Sequence, residues 1–373
     1  MADCAWNSLV SANKKAELKF RNVNPTLKYC LGCEYPATKR DLYPRRPKPA
    51  TLLDIITKPH KGFEFLSIPD LTFLHQSDHI VTSEFASVNY PYGRVTVFDV
   101  KGDVITTFPP KDTRKDIHLF GITSLPNDDV AICTGDGVSI WNLDGRMVSH
   151  MTQPTVENCC HVTLMQNHLL ATTCITKEDG KCVTMWDPKS GKVTSQFGSR
   201  PEVIELNPLK QKQKILIRNR DIRLPWFIAS DSSLNVFISD RTAQCVKVYD
   251  STSGKYLRRF DAAGVDTRCA KGSLMPQGIC VDDDDNIFVA DEVSSSVLIF
   301  DKHGEKVRQL PLKIDPKEDQ VWALALNNNH ELTCGKRNPA ISPTRKMALS
   351  FSHRKPRGHV YNLSFCDHYS IRF

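Results

Sequence analysis

The sequence predicts an all-β fold, a six-bladed β-propeller of four-stranded antiparallel blades, preceded by a short irregular N-terminal tail. Three observations predict it. A triplet of aliphatic residue or Met, aromatic residue, then Asp or Asn recurs as Val97-Phe98-Asp99, Ile140-Trp141-Asn142, Met185-Trp186-Asp187, Val248-Tyr249-Asp250, Ile299-Phe300-Asp301 and Val360-Tyr361-Asn362. Five of these six copies are followed within a few residues by glycine: Gly102, Gly145, Gly191, Gly254 and Gly304. The stretches before each triplet alternate apolar and polar residues with a period of two, and no long amphipathic helix is evident.

Each unit reads as four short strands. The innermost are "FGITSL", "HVTLM", "WFIAS", "QGICVD" and "WALAL"; second strands such as "NVFISD" (235–240) and "NIFVAD" (286–291) follow an acidic turn. The triplet ends the third strand, where its Asp or Asn bonds the amides of a tight turn and Gly supplies a positive φ. One such sheet has two apolar faces and is unstable alone; stacking six around an axis buries those faces. The stretch "GFEFLSIPD" (62–70) is expected to enter the ring and help close it, which gives two regions: 1–61, a basic and mostly flexible tail, and 62–373, the propeller.

The fifth copy, "GICVDDDDNIFVADEVSSSVLIFDKHGEKVRQL", resembles an NHL repeat, whose usual form is strand, acidic turn, "I-[YF]-V-A-D", then "V-x-[VI]-F-D-x-x-G". The fourth copy, "WFIASDSSLNVFISDRTAQCVKVYDSTSGKYLRRF", is similar, and the likeness fades in the others. A propeller of this kind resembles the C-terminal domains of tripartite-motif NHL proteins. That resemblance implies messenger-RNA repression or presentation of substrates for ubiquitination. Residues 1–66 contain a single CxxC, Cys30 and Cys33, and no heptads, so they match no RING, B-box or coiled coil and support no ligase activity.

The formal net charge of +7 is unevenly placed: residues 1–66 carry 12 Lys+Arg against 6 Asp+Glu. Successive aromatic markers lie 43, 45, 63, 51 and 61 residues apart, and the two longest steps hold basic insertions. One, 198–225, carries Lys210, Lys212, Lys214, Arg218, Arg220 and Arg223. The other, 335–358, carries Lys336, Arg337, Arg345, Lys346, Arg354, Lys355 and Arg357 with no acid. The first joins the third blade to the fourth, the second joins strands two and three of the sixth blade, so both rise from the same face of the ring. Tyr90, Tyr92 and Arg94, in the corresponding loop of the first blade (83–94), join them there.

These features imply a binding protein without a catalytic centre, cofactor or bound metal. A rigid ring with variable loops suits protein partners, in one form as the recognition subunit of ubiquitin-dependent turnover. The alternative is a post-transcriptional regulator whose basic face contacts RNA phosphates while Tyr90 and Tyr92 stack on single-stranded or stem-loop bases. A third reading is a metal-dependent propeller hydrolase or lyase. Against it, "DDDD" (282–285) occupies a turn, calcium needs six to eight converging oxygens, and His161 stands alone on a central strand. No Gly-x-Ser-x-Gly or HExxH is present. Thirteen cysteines without framework spacing, no secretory leader and no apolar run of about 18 residues predict a monomeric, cytoplasmic protein with reduced thiols and no membrane span.

Overall fold

The computed structural model describes residues 52–56, 70–84, 93–99, 102–110, 121–177, 180–198, 222–262, 264–265, 274–311, 320–327, 331–337 and 368–372. They form six antiparallel sheets, five of four strands and one of five. The chain is an all-β propeller of four-stranded antiparallel blades.

The first blade is β2 (Asp70–Phe73), β3 (Ile80–Glu84), β4 (Arg94–Phe98) and β5 (Val104–Phe108). The second is β6 (Ile122–Ser124), β7 (Val130–Thr134), β8 (Gly137–Trp141) and β9 (Met147–Thr152). The third is β10 (Val156–Leu164), β11 (Leu170–Thr176), β12 (Lys181–Asp187) and β13 (Lys192–Gly198). The fourth is β14 (Pro225–Ser230), β15 (Asn235–Asp240), β16 (Cys245–Asp250) and β17 (Tyr256–Asp261), with the short β18 (Gly264–Val265) at its edge. The fifth is β19 (Pro276–Val281), β20 (Ile287–Asp291), β21 (Ser296–Phe300) and β22 (Lys306–Pro311). Innermost strands touch their neighbours in turn, β2 to β6, β10, β14, β19, β23 (Gln320–Leu326) and back to β2.

The sixth blade corrects two expectations. Its order is β23, β24 (Glu331–Arg337), β25 (His368–Arg372) and then β1 (Leu52–Ile56). The outermost strand thus comes from 52–56, a stretch assigned by sequence to the tail. Its third strand is His368–Arg372; the expected marker Val360-Tyr361-Asn362 lies outside the described residues. In physical terms, a strand at either end of the chain can complete a sheet, and five residues of "LLDII" supply one with no turn signature of their own. Four backbone pairings join β1 to β25, Leu52 to Ile371 through Ile56 to His368.

The repeat markers do the work expected of them. Asp250 Oδ1 accepts the amides of Thr252 and Ser253, and Asp301 Oδ1 those of His303 and Glu305. Gly145 follows Asn142 with φ +75°, a conformation that a side chain strains. The acidic run is also a turn: Asp282 Oδ1 accepts the amides of Asp284 and Asn286, and burial pushes its carboxyl above the usual range. The apolar core lies between blades. Val81, Val95 and Val97 of the first pack against Ile122, Val130, Ile132 and Trp141 of the second. Ala171, Val183 and Met185 of the third meet Ile228, Val236, Ile238 and Tyr249 of the fourth. Each such fully buried side chain contributes roughly 1.5–3 kcal/mol, so removal of one blade face exposes both partners.

Loss of β1 would uncover the outer edge of β25. A chain lacking 1–57 is expected to melt at a lower temperature than one lacking 1–50, which keeps β1; equal melting in calorimetry would refute closure by this strand.

Candidate active site at the mouth of the ring axis

The innermost strands of the third to sixth blades share an irregularity. One extra residue stands between Cys159 and His161 in β10, between Pro225 and Ile228 in β14, between Pro276 and Ile279 in β19, and between Val321 and Ala323 in β23. The innermost pairings of the first two blades are regular over the residues described. A bulge redirects side chains and sharpens local twist. Here it falls at Trp226 and Phe227, at Gln277 and Gly278, and at Trp322.

Two further groups reach this position from loops. Arg241 and Glu292 each follow the aspartate that ends the second strand of their blade, Asp240 and Asp291. Their amides donate to Leu224 O and Met275 O, both at 3.1 Å, which ties each loop to the entry of the innermost strand. Asp240 holds the fourth-blade loop: it accepts the amides of Arg223, Leu224 and Ala243 and pairs with Lys247 Nζ at 2.8 Å, both side chains fully buried. Asp291 does the same in the fifth blade through the amides of Met275 and Ser294 and the Ser294 hydroxyl.

The result is a joined set of side chains from three blades. Arg241 Nη2 lies 2.6 Å from Glu292 Oε2, and Gln277 Nε2 donates to the same oxygen at 2.5 Å. The Arg241 guanidinium sits 5.9 Å from the centre of the Trp322 ring. Trp226 and Phe227 meet Trp322 edge-on at 5.9 and 6.2 Å. Arg241 and Glu292 stay partly exposed, at 25% and 14%, whereas Gln277 is fully buried. Glu292 Oε1 makes no hydrogen bond among the described residues. One oxygen is therefore fixed by two donors and the other is open, the arrangement a carboxylate needs to accept a proton in a set direction.

The other side of the axis is held differently. Phe227 packs on His161 with ring centres 4.5 Å apart. His161 Nε2 lies 2.7 Å from Asp70 Oδ2, Asp70 Oδ2 accepts the Ile122 amide at 2.8 Å, and His161 Nδ1 accepts the Ile228 amide at 3.4 Å. Four blades are thereby linked through one buried imidazole and one buried carboxylate. Nδ1 accepts a backbone amide and Nε2 sits against a carboxylate at 2.7 Å without meeting hydrogen-bond geometry, so His161 is a clasp between blades.

Of the partner-face residues singled out by sequence, the few described ones fall elsewhere. Arg94 is not displayed on a face: it is 4% exposed and binds Glu84, itself fully buried, through Nε at 2.8 Å and Nη2 at 2.7 Å. A corrected position also applies to Lys336 and Arg337, which belong to strand β24, paired with Val321 and Gln320, and not to a loop. Arg223 is exposed and its amide serves Asp240. Tyr90, Tyr92, Lys210, Lys212, Lys214, Arg218, Arg220, Arg345, Lys346, Arg354, Lys355 and Arg357 lie outside the described residues, as do Cys30 and Cys33. Arg241, Gln277 and Glu292 escaped the sequence reading. Their signal was the residue after the strand-ending aspartate in the two best repeats, "ISDR" and "VADE": the same position, opposite charge, in neighbouring blades.

Residues 274–300 match the model of the NHL repeat. The chain carries an NHL repeat in a β-propeller. No curated protein matches the sequence. Among solved structures, a virginiamycin B lyase from Staphylococcus aureus with quinupristin is similar with TM-score 0.53 and 12% identity, covering 86% of this chain and 99% of that one. A gluconolactonase from Xanthomonas campestris is similar with TM-score 0.54 and 11% identity, over 88% and 98%. Regucalcin from Agrobacterium tumefaciens, a calcium-binding protein, is similar with TM-score 0.56 and 11% identity, over 87% and 94%. At these identities the likeness establishes the fold.

Two expectations are corrected by these neighbours. The ring was expected to be a non-enzymatic platform for protein or RNA, and the chain was expected not to be an enzyme. A lyase and a gluconolactonase share its architecture, so the ground for reading the ring as inert falls away. The physical reason is that an axial site draws on residues about fifty apart in sequence, one or two per blade, and so leaves no local catalytic motif.

The described carboxylates around the axis do not fit a calcium site. Glu84 is taken up by Arg94 and Thr96, Asp240 by Lys247 and three amides, Glu292 by Arg241 and Gln277, and Asp70 by His161 and an amide. Calcium sites gather six to eight oxygens on one point, and here each carboxylate already faces a cation or N–H donors. Among the described residues no three His, Cys, Asp or Glu side chains converge on one position.

Eight cysteines are described and all are free thiols. Burial pushes Cys182 and Cys334 up to about 12 and Cys245 to about 11. Thiolate is the reactive form, so iodoacetamide at pH 8 is expected to spare Cys133, Cys159, Cys174, Cys182, Cys245 and Cys334 in the folded protein and to label them after unfolding, as read by peptide mapping. The buried pair makes a second expectation. Lys247→Met leaves the buried Asp240 carboxylate without its cation, with only three amides to hold it, and is expected to cost about 3–5 kcal/mol in denaturant unfolding, a figure typical of a broken buried pair.

Proposed function

We propose that the protein is a propeller hydrolase or lyase that acts on a small organic molecule at the axial mouth, with Glu292 as general base. The observation that carries this reading is the asymmetric carboxylate: Oε2 is held by Arg241 and Gln277, while Oε1 makes no hydrogen bond among the described residues. The lyase and the gluconolactonase of the same fold support the class.

In the hydrolase form, Glu292 Oε1 takes a proton from a water molecule as that water attacks the substrate carbonyl, and returns it to the departing oxygen as the acyl C–O bond breaks. In the lyase form, the same oxygen takes a proton from the carbon beside the bond that breaks. The Arg241 guanidinium, beside the carboxylate and over the Trp322 face, opposes the negative charge that develops on the substrate. Trp226 and Trp322 keep water from the rest of the molecule, which strengthens these electrostatic contacts. His161 and Asp70 hold the blades that form the far wall in register.

The test uses the full chain with glucono-δ-lactone and 4-nitrophenyl acetate, following acid or nitrophenol release. Turnover is expected in the wild type. Glu292→Gln should lower kcat by a factor of about 100 to 10,000, the usual contribution of a positioned base. Turnover should also survive a chelator, because among the described residues no three His, Cys, Asp or Glu side chains converge on one position. Absence of turnover in the folded wild type, or an unaffected Glu292→Gln variant, would overturn the reading.

A further inference from the structure

We infer that the axial mouth takes a small molecule bearing a carboxylate, and that Arg241 is the residue that selects it. This rests on the function proposed above and narrows its substrate class.

Three observations carry the inference. The first is a set of unused donors that solvent reaches. A guanidinium has five N–H donors. Among the described residues Arg241 uses one, from Nη2 to Glu292 Oε2 at 2.6 Å. Its Nε and Nη1 bond none of those residues, and neither atom is shut away from solvent. The side chain is 25% exposed, so an anion meets these donors without any unpacking of the fold. Arg94, by contrast, is buried against Glu84, and the Nε atoms of Arg258 and Arg308 are buried.

The second observation is what holds the guanidinium. It lies over the buried Trp322 ring, 5.9 Å from its centre, and an aromatic face attracts a guanidinium without taking up any N–H donor. Asp240, the residue before it, fixes the backbone through three amides and Lys247. A planar fork held in this way matches a carboxylate, whose two oxygens accept in parallel. The third is charge. Asp240 is matched by Lys247, and Asp291 is buried and bonded by amides and the Ser294 hydroxyl. Among the described residues, the charged side chains that these two loops leave to solvent are Arg241, Glu292 and Arg223, the last exposed with its amide on Asp240. Two cations face one carboxylate, and two donors already hold that carboxylate by Oε2. An anionic ligand evens the count.

Phenylacetate and phenylacetamide make the discriminating pair of probes. They share size, ring and carbonyl, and only the first carries a charge. Calorimetric titration into the full chain at low ionic strength is expected to show phenylacetate binding about tenfold more tightly, the size of effect a charge-assisted hydrogen bond produces. Added salt should narrow the gap, because the guanidinium is partly exposed. Arg241→Gln should remove the preference by weakening phenylacetate alone. Arg241→Lys, which keeps the charge and loses the fork, should retain only part of it. Lys306→Gln, on the outermost strand of the fifth blade, should leave it unchanged. Equal affinity for the two probes, no binding of either, or a preference that survives Arg241→Gln would overturn the inference. So would a preference that Lys306→Gln also removes, which would show diffuse attraction to surface charge. Should Arg241→Gln fail to fold, Arg241→Lys takes its place, and the wild-type preference stands as a test without either variant. Binding is read separately from turnover. Probe preference without turnover removes only the catalytic proposal, and turnover without preference removes only this one.

Discussion

Six strands converge on one axis, and the crowding there governs the rest of the molecule. Backbones of adjacent innermost strands come so close that a Cβ on Gly278 would lie 2.5 Å from Trp322 O and 2.6 Å from Leu324 N, and one on Gly121 would lie 2.4 Å from His161 Cα. Glycine is required there because any side chain would meet the main chain of the next blade. The same crowding explains the bulges. A straight strand pair of six or seven residues cannot keep its register while its inner member bends around the axis, and one added residue relieves the mismatch. The bulge then turns Trp226, Gln277 and Trp322 out of the regular in-and-out alternation. The geometry that closes the ring is therefore the geometry that supplies its chemical groups.

Polar groups at the axis also serve the closure. Asp70, Ile122, His161 and Ile228 come from four blades and meet through two backbone-amide hydrogen bonds and the close His161–Asp70 contact. A buried charge is stable only when paired and hydrogen-bonded, so this clasp works only when all four blades are in register. The Lys247–Asp240 pair and the Arg94–Glu84 pair repeat the logic within single blades. Each removes a carboxylate from the pool that could act on a ligand. Glu292 differs because its partners bind one oxygen and leave the other.

How much of this was legible in the sequence follows from how each feature is encoded. The blades were legible because their signals are local: Asp250 must be followed by a turn, and Val248 and Tyr249 must be strand. The sixth blade was misread because its third strand, "HYSIR", ends without the aromatic-Asp marker, and its fourth comes from more than 300 residues away in the chain. Nothing local to 52–56 announces a partner at the far end. The basic insertions stood out because charge is conspicuous in a sequence, and most of their residues lie outside the described ones.

The candidate site was hidden for the opposite reason. Arg241 and Glu292 are ordinary surface residue types, and each looks like one more charge after a turn. They gain meaning only because the repeat places them at the same position in adjacent blades, so that the ring brings opposite charges together above a bulged strand. Repetition, which first exposed the fold, is also what makes an exception informative. Where two copies of one blade differ at an equivalent position by a reversal of charge, the two residues are neighbours in space, and a buried amide such as Gln277 between them marks where the ring departs from pure scaffold.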